Sequence, residues 1–327
     1  MRQTGSGSVE GLVWVLSHEL VKTGHEVTVF ATADSEVCCE LVAALPGPYG
    51  KKGSPENWLV CEIINLCEAI KHSERFDVLH SHSYLHGLAM QGLTRAPMIN
   101  TMHVAGHPEN ASLWRRFPDS CVTAISKYQW SAFPDLKPAG VVYHGVDPSL
   151  FTFRSRSEDY VCFLGRFIGG KGPLLAIKAA RSLGVRLVLA GPRNSYYDKH
   201  IAPLVDGDCV EYVGMVSGVS RNQLLSGARA LLYPIQNPEP FGLVMVEAML
   251  CGTPVAAMGL GAVPEIIDQG FTGYYTESTD AFPQAISQSL NLDRCCVREK
   301  ALARFSAQRM ASEYARIYQT LAEKTAV

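Results

Sequence analysis

Glu239 and Glu247 bracket the stretch Pro240-Phe241-Gly242-Leu243-Val244-Met245-Val246, and their setting suits a defined chemistry. The first follows an apolar run, Ala230-Leu231-Leu232-Tyr233-Pro234, at a proline-broken loop. The second falls inside a helical pattern from Leu243 to Leu250. The opening N–H groups of a helix have no intrahelical partner and point outward as donors that suit a phosphate. The amides of Phe241, Gly242 and Leu243 are therefore candidates to hold a diphosphate. A carboxylate one loop earlier faces whatever the diphosphate carries, and a carboxylate on the helix accepts hydrogen bonds from vicinal hydroxyls such as those of a ribose. Two acids around a polyhydroxylated phosphate ester point to sugar-nucleotide binding. The plain alternative is a loop cap plus a solvated helix glutamate, and Pro-Phe-Gly between the acids weighs against it.

Histidines crowd the first half: His72, His80, His82, His86, His103 and His107. His80, His82 and His86 are the candidates for a metal site, but His80-x-His82 at a strand end runs into a loop with no acidic partner nearby. No metal and no resident cofactor are expected.

The elements that must position these groups follow from periodicity. Val9, Leu12, Val13, Leu16 and Leu20 have helical spacing, and Gly24 ends the run before a β-rich segment, 26–31. Further strands are expected over 76–80, 98–102, 121–125 and 141–143, with helices over 56–70 and after Tyr84. The polar stretch 153–159 reads as a linker. Beyond it, strands over 161–164, 186–190, 210–213, 230–233 and 254–257 alternate with helices. Helices between short strands imply parallel βαβ units. Two Rossmann-like, doubly wound α/β domains, 1–152 and 153–306, are therefore expected to face a cleft, with 307–327 as a helix packing back on the first domain. Residues 1–8 hold one apolar residue, Met1, so the strand that should precede the first helix is missing. In the common order it lies mid-sheet, where its loss leaves a gap or forces its neighbours to re-pair. Either the sequence starts late or this domain is crippled.

Composition bounds the rest. The 327 residues, 47% of them hydrophobic, suffice for two buried cores, and a net charge of −2 gives no field to attract nucleic acid. Ten cysteines without metal or disulfide spacing fit a reducing cytoplasm. No apolar run approaches a membrane span, which leaves peripheral membrane contact open.

Taken together these residues resemble the retaining glycosyltransferases of family 4, with the two-domain GT-B fold, over nearly the whole chain. The blocks that carry the likeness are Glu239 to Met249, Cys251-Gly252-Thr253-Pro254-Val255, Gly261 to Ile267, Gly270 to Gly273 and Gly165-Arg166-Phe167-Ile168-Gly169-Gly170-Lys171-Gly172. The resemblance implies that 1–152 is the acceptor side and 153–306 binds the nucleotide sugar, with Glu239 contacting the donor sugar and Glu247 the ribose. Arg166 and Lys171 would stabilise the leaving diphosphate, the lysine as a point charge and the arginine as a fork. It places His103 beside the transferred sugar and Gly7-Ser8 where the family has a glycine pair near the donor phosphate. Ser8 departs from that pair.

The reaction so implied belongs to carbohydrate biosynthesis, a hexosyl transfer of the EC 2.4 class. A sugar passes from a UDP-, GDP-, ADP- or TDP-linked donor to an unknown acceptor hydroxyl with the anomeric configuration kept. No motif places a carboxylate as a covalent nucleophile, so front-face displacement is implied, with the leaving phosphate helping to deprotonate the acceptor. The alternative is a non-catalytic sugar-nucleotide-binding scaffold with a crippled first domain. A nicotinamide dehydrogenase would need a Gly-x-Gly-x-x-Gly turn between strand and helix, and Gly5-Ser6-Gly7 lacks both the strand and the third glycine.

Overall fold

A computed structural model describes residues 9–325. The chain divides into two compact units: unit 1 ends at Gly145 and resumes at Ala307, and unit 2 is Val146–Ser306.

Unit 1 contains α1 (Val9–Lys22), β1 (Thr28–Thr32), β2 (Glu40–Leu45), α2 (Trp58–Lys71), β3 (Leu79–Ser81), α3 (Tyr84–Met90), β4 (Met98–Thr101), α4 (Pro108–Trp114), β5 (Cys121–Ala124), α5 (Lys127–Ser131) and β6 (Gly140–Val141). In α1 the buried Leu12, Val15, Leu16 and Leu20 form one stripe of a 3.6-residue period. The helix ends where Gly24 takes φ +90, with the His25 amide donating back to the Leu20 carbonyl at 3.1 Å. In α2, Asn57 caps the start by accepting from the Leu59 amide at 3.0 Å. The strand expected over 141–143 is shorter and earlier, and β2 was not foreseen.

The described strands of unit 1 pair only in parallel, but they make two sheets rather than one: β1-β2, and β3-β4-β5-β6. Among the described residues no ladder joins β1 to β3. β1 and β3 therefore do not re-pair with each other, and residues 1–8, where the first strand was expected and not found in the sequence, lie outside the described residues.

Unit 2 contains β7 (Val161–Leu164), α6 (Pro173–Leu183), β8 (Leu187–Ala190), β9 (Val210–Tyr212), α7 (Gly218–Gly227), β10 (Leu231–Tyr233), α8 (Leu243–Leu250), β11 (Val255–Met258), α9 (Val263–Ile266), β12 (Gly273–Thr276), α10 (Phe282–Ser289) and α11 (Arg294–Phe305). One parallel sheet holds its strands in the order β12-β11-β10-β7-β8-β9. The unit's first strand is central and the winding reverses between β7 and β10, which is the doubly wound order. Val161, Cys162, Leu187 and Leu231 are fully buried, which is why these strands read as continuous apolar runs.

The division between units lies ahead of the polar stretch 153–159. Val146 bridges to Ser306, its amide donates to the Phe305 carbonyl at 2.9 Å, and Phe151 is buried. These contacts tie 146–152 to unit 2. The chain then returns to unit 1 as α12 (Ala307–Thr325). Its Met310, Ala311 and Tyr314 share a core with Val15, Leu16, Leu20, Ile99 and Val142, and each large aliphatic side chain so buried stabilises by about 1.5–3 kcal/mol.

Candidate functional site

Ligands of doubly wound sheets bind beyond the carboxyl ends of the strands where the winding reverses. In unit 2 that point is flanked by the loops after β7 and β10. The first carries Arg166 and Lys171, and the second carries Glu239. The structure brings Lys171 and Glu239 together: Lys171 Nζ donates to Glu239 Oε1, the Tyr233 hydroxyl donates to Oε2 at 2.6 Å, and the ammonium lies 5.9 Å from the centre of the Tyr233 ring. Arg166 stands exposed, and its guanidinium makes no ion pair among the described residues.

Glycines set this geometry. The amides of Gln236 and Asn237 both donate to the Gly170 carbonyl, at 2.8 and 3.3 Å, which ties one loop to the other. A Cβ on Gly172 (φ +70) would stand 1.8 Å from the Pro234 carbonyl oxygen. Gly261 (φ +63) lies against the Glu239 backbone, where a Cβ would meet its N and O at 2.5 and 2.4 Å, and the Ala262 amide donates to the Glu239 carbonyl at 3.0 Å. Only glycine allows these approaches.

Phe241, Gly242 and Leu243 form the entry to α8. Gly242 is its N-cap with φ +97, and Phe241 is buried edge-on to Phe305 with centroids 6.2 Å apart. Glu247, on α8, is 1% exposed, and Arg221 from α7 donates to its Oε2 through Nε at 2.9 Å and also through Nη2. Burial raises the Glu247 carboxyl above its ordinary range, with Arg221 opposing. The glutamate read as a ribose acceptor is thus buried and held by an arginine.

In unit 1, His103 follows β4. Its Nε2 is 2.9 Å from His82 Nδ1, its ring stacks on His144 with centroids 5.3 Å apart, and its Nδ1 is buried without a hydrogen-bond partner. His80 bonds the Tyr318 hydroxyl at 2.6 Å and Thr101 Oγ1 at 2.7 Å. Burial pushes His103 down to about 4 and His80 to about 3, and it also lowers His82 and His144. At neutral pH these imidazoles are uncharged, so each exchanges one donor for one acceptor.

Two family models divide the chain between them. The one described as Glycosyltransferase Family 4 matches residues 9–150, and the one described as Glycosyl transferases group 1 matches residues 152–308. The chain belongs to glycosyltransferase family 4. It is 28% identical to the D-inositol 3-phosphate glycosyltransferase of Mycolicibacterium smegmatis, over 95% of this chain and 84% of that one. Among solved structures it is similar to AviGT4, a glycosyltransferase involved in avilamycin A biosynthesis, at 25% identity and a TM-score of 0.74, over 98% and 91% of the two chains. The sucrose-phosphate synthase of Thermosynechococcus elongatus shares the fold at 19% identity and a TM-score of 0.79, over 98% and 94%. The two Rossmann-like units are those of the GT-B fold.

In this glycosyltransferase several positioning residues escape a reading of spacing. Arg221 is one, since nothing in sequence joins it to Glu247. Gln129 is another: fully buried, it donates from Nε2 to the carbonyls of Met102 at 2.8 Å and Val104 at 2.5 Å, the residues flanking His103, and it accepts from the Ile125 amide at 2.9 Å. Arg294 is a third, its guanidinium satisfied by the carbonyls of Arg154, Ser226 and Ala228 and by Thr253 Oγ1. Gly7 and Ser8 lie outside the described residues. Among the described residues no group of three or more His, Cys, Asp or Glu could hold a metal ion, and no helix is long and apolar enough to cross a membrane.

Proposed function

We propose that this glycosyltransferase moves a hexosyl group from a nucleotide-diphosphate sugar to an acceptor hydroxyl with retention of configuration, without a metal. The observation that carries this reading is the meeting of the Lys171 and Glu239 loops at the winding reversal of unit 2, with Arg166 exposed on the same loop as Lys171. Departure of a nucleoside diphosphate develops negative charge, and fixed cations and oriented amides lower the barrier for it. Arg166, Lys171 and the amides at 241–243 are the chain's own groups for that task. A bound diphosphate would compete with Glu239 for the Lys171 ammonium, freeing the carboxylate to accept from hydroxyls of the sugar. Both bonds from Arg221 fall on Oε2 of Glu247, which leaves Oε1 for the ribose. His103, neutral at physiological pH, can donate or accept one hydrogen bond to the transferred sugar. The C–O bond to phosphate breaks as the acceptor oxygen bonds the same face of the anomeric carbon, and the acceptor proton passes to the departing phosphate oxygen. The ten cysteines, none in a disulfide, suit the reducing cytoplasm in which we place the reaction.

The scaffold alternative is not favoured, because both matched families are glycosyltransferases. The test is thermal unfolding with UDP-, GDP-, ADP- and TDP-sugars beside Arg166→Ala, chosen because Arg166 is exposed and its loss should spare the fold. The stabilising donor is then incubated with acceptors, starting with an inositol phosphate as the name of the relative suggests, and the anomeric proton coupling of the product is read by NMR. One donor class should raise the melting temperature, less so in the variant, and the product should keep the donor configuration. No shift and no transfer with any donor would sink the proposal, and inversion would remove its stereochemical half.

A further inference from the structure

The apolar run Ala230-Leu231-Leu232-Tyr233-Pro234, which supplies β10, carries a single hydroxyl, at the carboxyl end of the strand. Leu231 and Leu232 are buried in the sheet, and Tyr233 is buried with them at 4% exposure. A phenylalanine would fill a dry strand end as well, whereas a buried phenol is costly unless its hydroxyl finds a partner. The partner is Glu239, whose Oε2 accepts from the Tyr233 hydroxyl at 2.6 Å. The centre of the same ring lies 5.9 Å from the Lys171 ammonium, which donates to Oε1 of that carboxylate. Gly242, the N-cap of α8, leaves room for the hydroxyl, since a Cβ there would stand 2.7 Å from its oxygen. One side chain therefore touches both members of the ion pair and the entry to the helix.

The three groups differ in freedom. Lys171 and Glu239 are long side chains that stay 21% and 22% exposed, with rotamer entropy still to lose. Tyr233 has two side-chain torsions and a buried ring, so it is the fixed member. Burial first, and then the Glu239 charge, push its hydroxyl well above the ordinary range, which keeps it protonated and a donor at neutral pH. A diphosphate that takes the Lys171 ammonium removes the partner of Oε1 and leaves the partner of Oε2 in place.

We propose that Tyr233 is a positioning residue for the donor sugar: it holds Glu239 by Oε2 while the diphosphate draws Lys171 away, so that Oε1 meets the sugar hydroxyls in a fixed place. This rests on the assignment of the donor site to the Lys171 and Glu239 loops. Without the hydroxyl, Glu239 is free to follow the ammonium or to turn into solvent. The sugar then loses its acceptor, while the nucleotide keeps Arg166, Lys171 and the amides at 241–243. The loss is confined to the sugar half of the donor, which separates positioning from a general weakening of the fold.

The test is titration calorimetry on the full chain, comparing the UDP-, GDP-, ADP- or TDP-sugar that most raises its melting temperature with the corresponding free diphosphate. The variants are Tyr233→Phe, Glu239→Ala, the two combined, and Tyr160→Phe. The last removes another buried hydroxyl of unit 2, one that donates to the Leu224 carbonyl at 2.9 Å, and controls for the loss of such a bond in itself. Tyr233→Phe should leave diphosphate affinity within about twofold of the parent and lower the affinity for the nucleotide sugar relative to it by on the order of tenfold. Tyr160→Phe should leave that ratio unchanged, and Tyr233→Phe should add nothing once Glu239 is alanine, because a residue that acts through another has no separate effect. Equal weakening of both ligands, the same ratio change in Tyr160→Phe, or a further loss in the combined variant would overturn the proposal. A ratio lowered by Glu239→Ala but untouched by Tyr233→Phe would overturn it alone. A ratio untouched by Glu239→Ala, or no binding of any diphosphate, would overturn the donor-site assignment and this inference with it.

Discussion

Lys171 and Glu239, on separate loops of unit 2, are joined by an ion pair whose carboxylate is also held by the Tyr233 hydroxyl at 2.6 Å. Two groups expected to touch the donor therefore also touch each other. Loop geometry, rather than the side chains alone, keeps them in register.

Gly261 supports that register, because a side chain there would strike the Glu239 backbone. Gly184 shares its φ of +63 but has nothing within 4 Å of an added Cβ. Gly184→Ala should cost only the strain of the left-handed backbone, about 1–2 kcal/mol. Gly261→Ala should cost more by chemical denaturation and should also weaken donor binding, measured by titration calorimetry. Equal costs and unchanged binding would show that the close approach at Gly261 positions nothing.

Gln129 grips the chain on both sides of His103. Gln129→Ala strands the Met102 and Val104 carbonyls and the Ile125 amide, and should destabilise by about 2–4 kcal/mol in urea unfolding. Sugar transfer should fall further than the loss of folded protein explains, because the His103 loop is no longer fixed. A variant as stable as the parent would refute the clamp.

Arg221 and Glu247 form a buried pair in which removing one partner leaves the other uncompensated. Arg221→Met should destabilise by about 3–5 kcal/mol at neutral pH. The sign of the pH dependence follows from the raised folded pKa of Glu247. Below the ordinary carboxylate range both folded and unfolded states are protonated, and as pH rises toward the folded value the unfolded state ionises first and stability falls. Losing Arg221 removes the opposing influence and widens that window upward. The variant should therefore recover stability on acidification, and a cost independent of pH would contradict the buried charge.

The histidine group gives the opposite slope. His103 and His80 are depressed to about 4 and about 3 in the folded protein, below the ordinary 6.5 of the unfolded chain. Their contribution is complete above pH 6.5 and is lost as pH falls toward the folded values, by up to about 1.4 kcal/mol per pH unit for each histidine. His80→Asn should flatten the acid limb of a stability curve measured between pH 7 and pH 4. An unchanged limb would mean that His80 titrates normally.

Unit 2 was legible because its chemistry sits at strand ends, where an apolar run, a glycine turn and the next helix follow one another along the sequence. The Lys171 and Glu239 loops could be assigned to one region before their contact was known. Arg221 and Gln129 could not, since Arg221 acts on a partner 26 residues away and Gln129 on partners 25 and 27 residues away, through tertiary contacts that leave no periodic trace. β2 was missed because Leu41-Val42-Ala43-Ala44-Leu45 is an apolar run without the period-two alternation that marks a strand, and its exposure is mixed. Burial of Glu247 was missed for a related reason, because the helical pattern gives the side of α8 it occupies but not the helix laid against that side.

The return of α12 to unit 1 bears on how the molecule is made. Unit 2 is continuous in sequence, whereas unit 1 needs its last helix to cover Val15, Leu16, Leu20, Ile99 and Val142. At about 5–20 residues per second, the ribosome spends on the order of ten to thirty seconds on unit 2 before α12 is made. Through that interval the nascent chain carries an uncovered apolar surface, so chaperone demand falls on the half synthesised first.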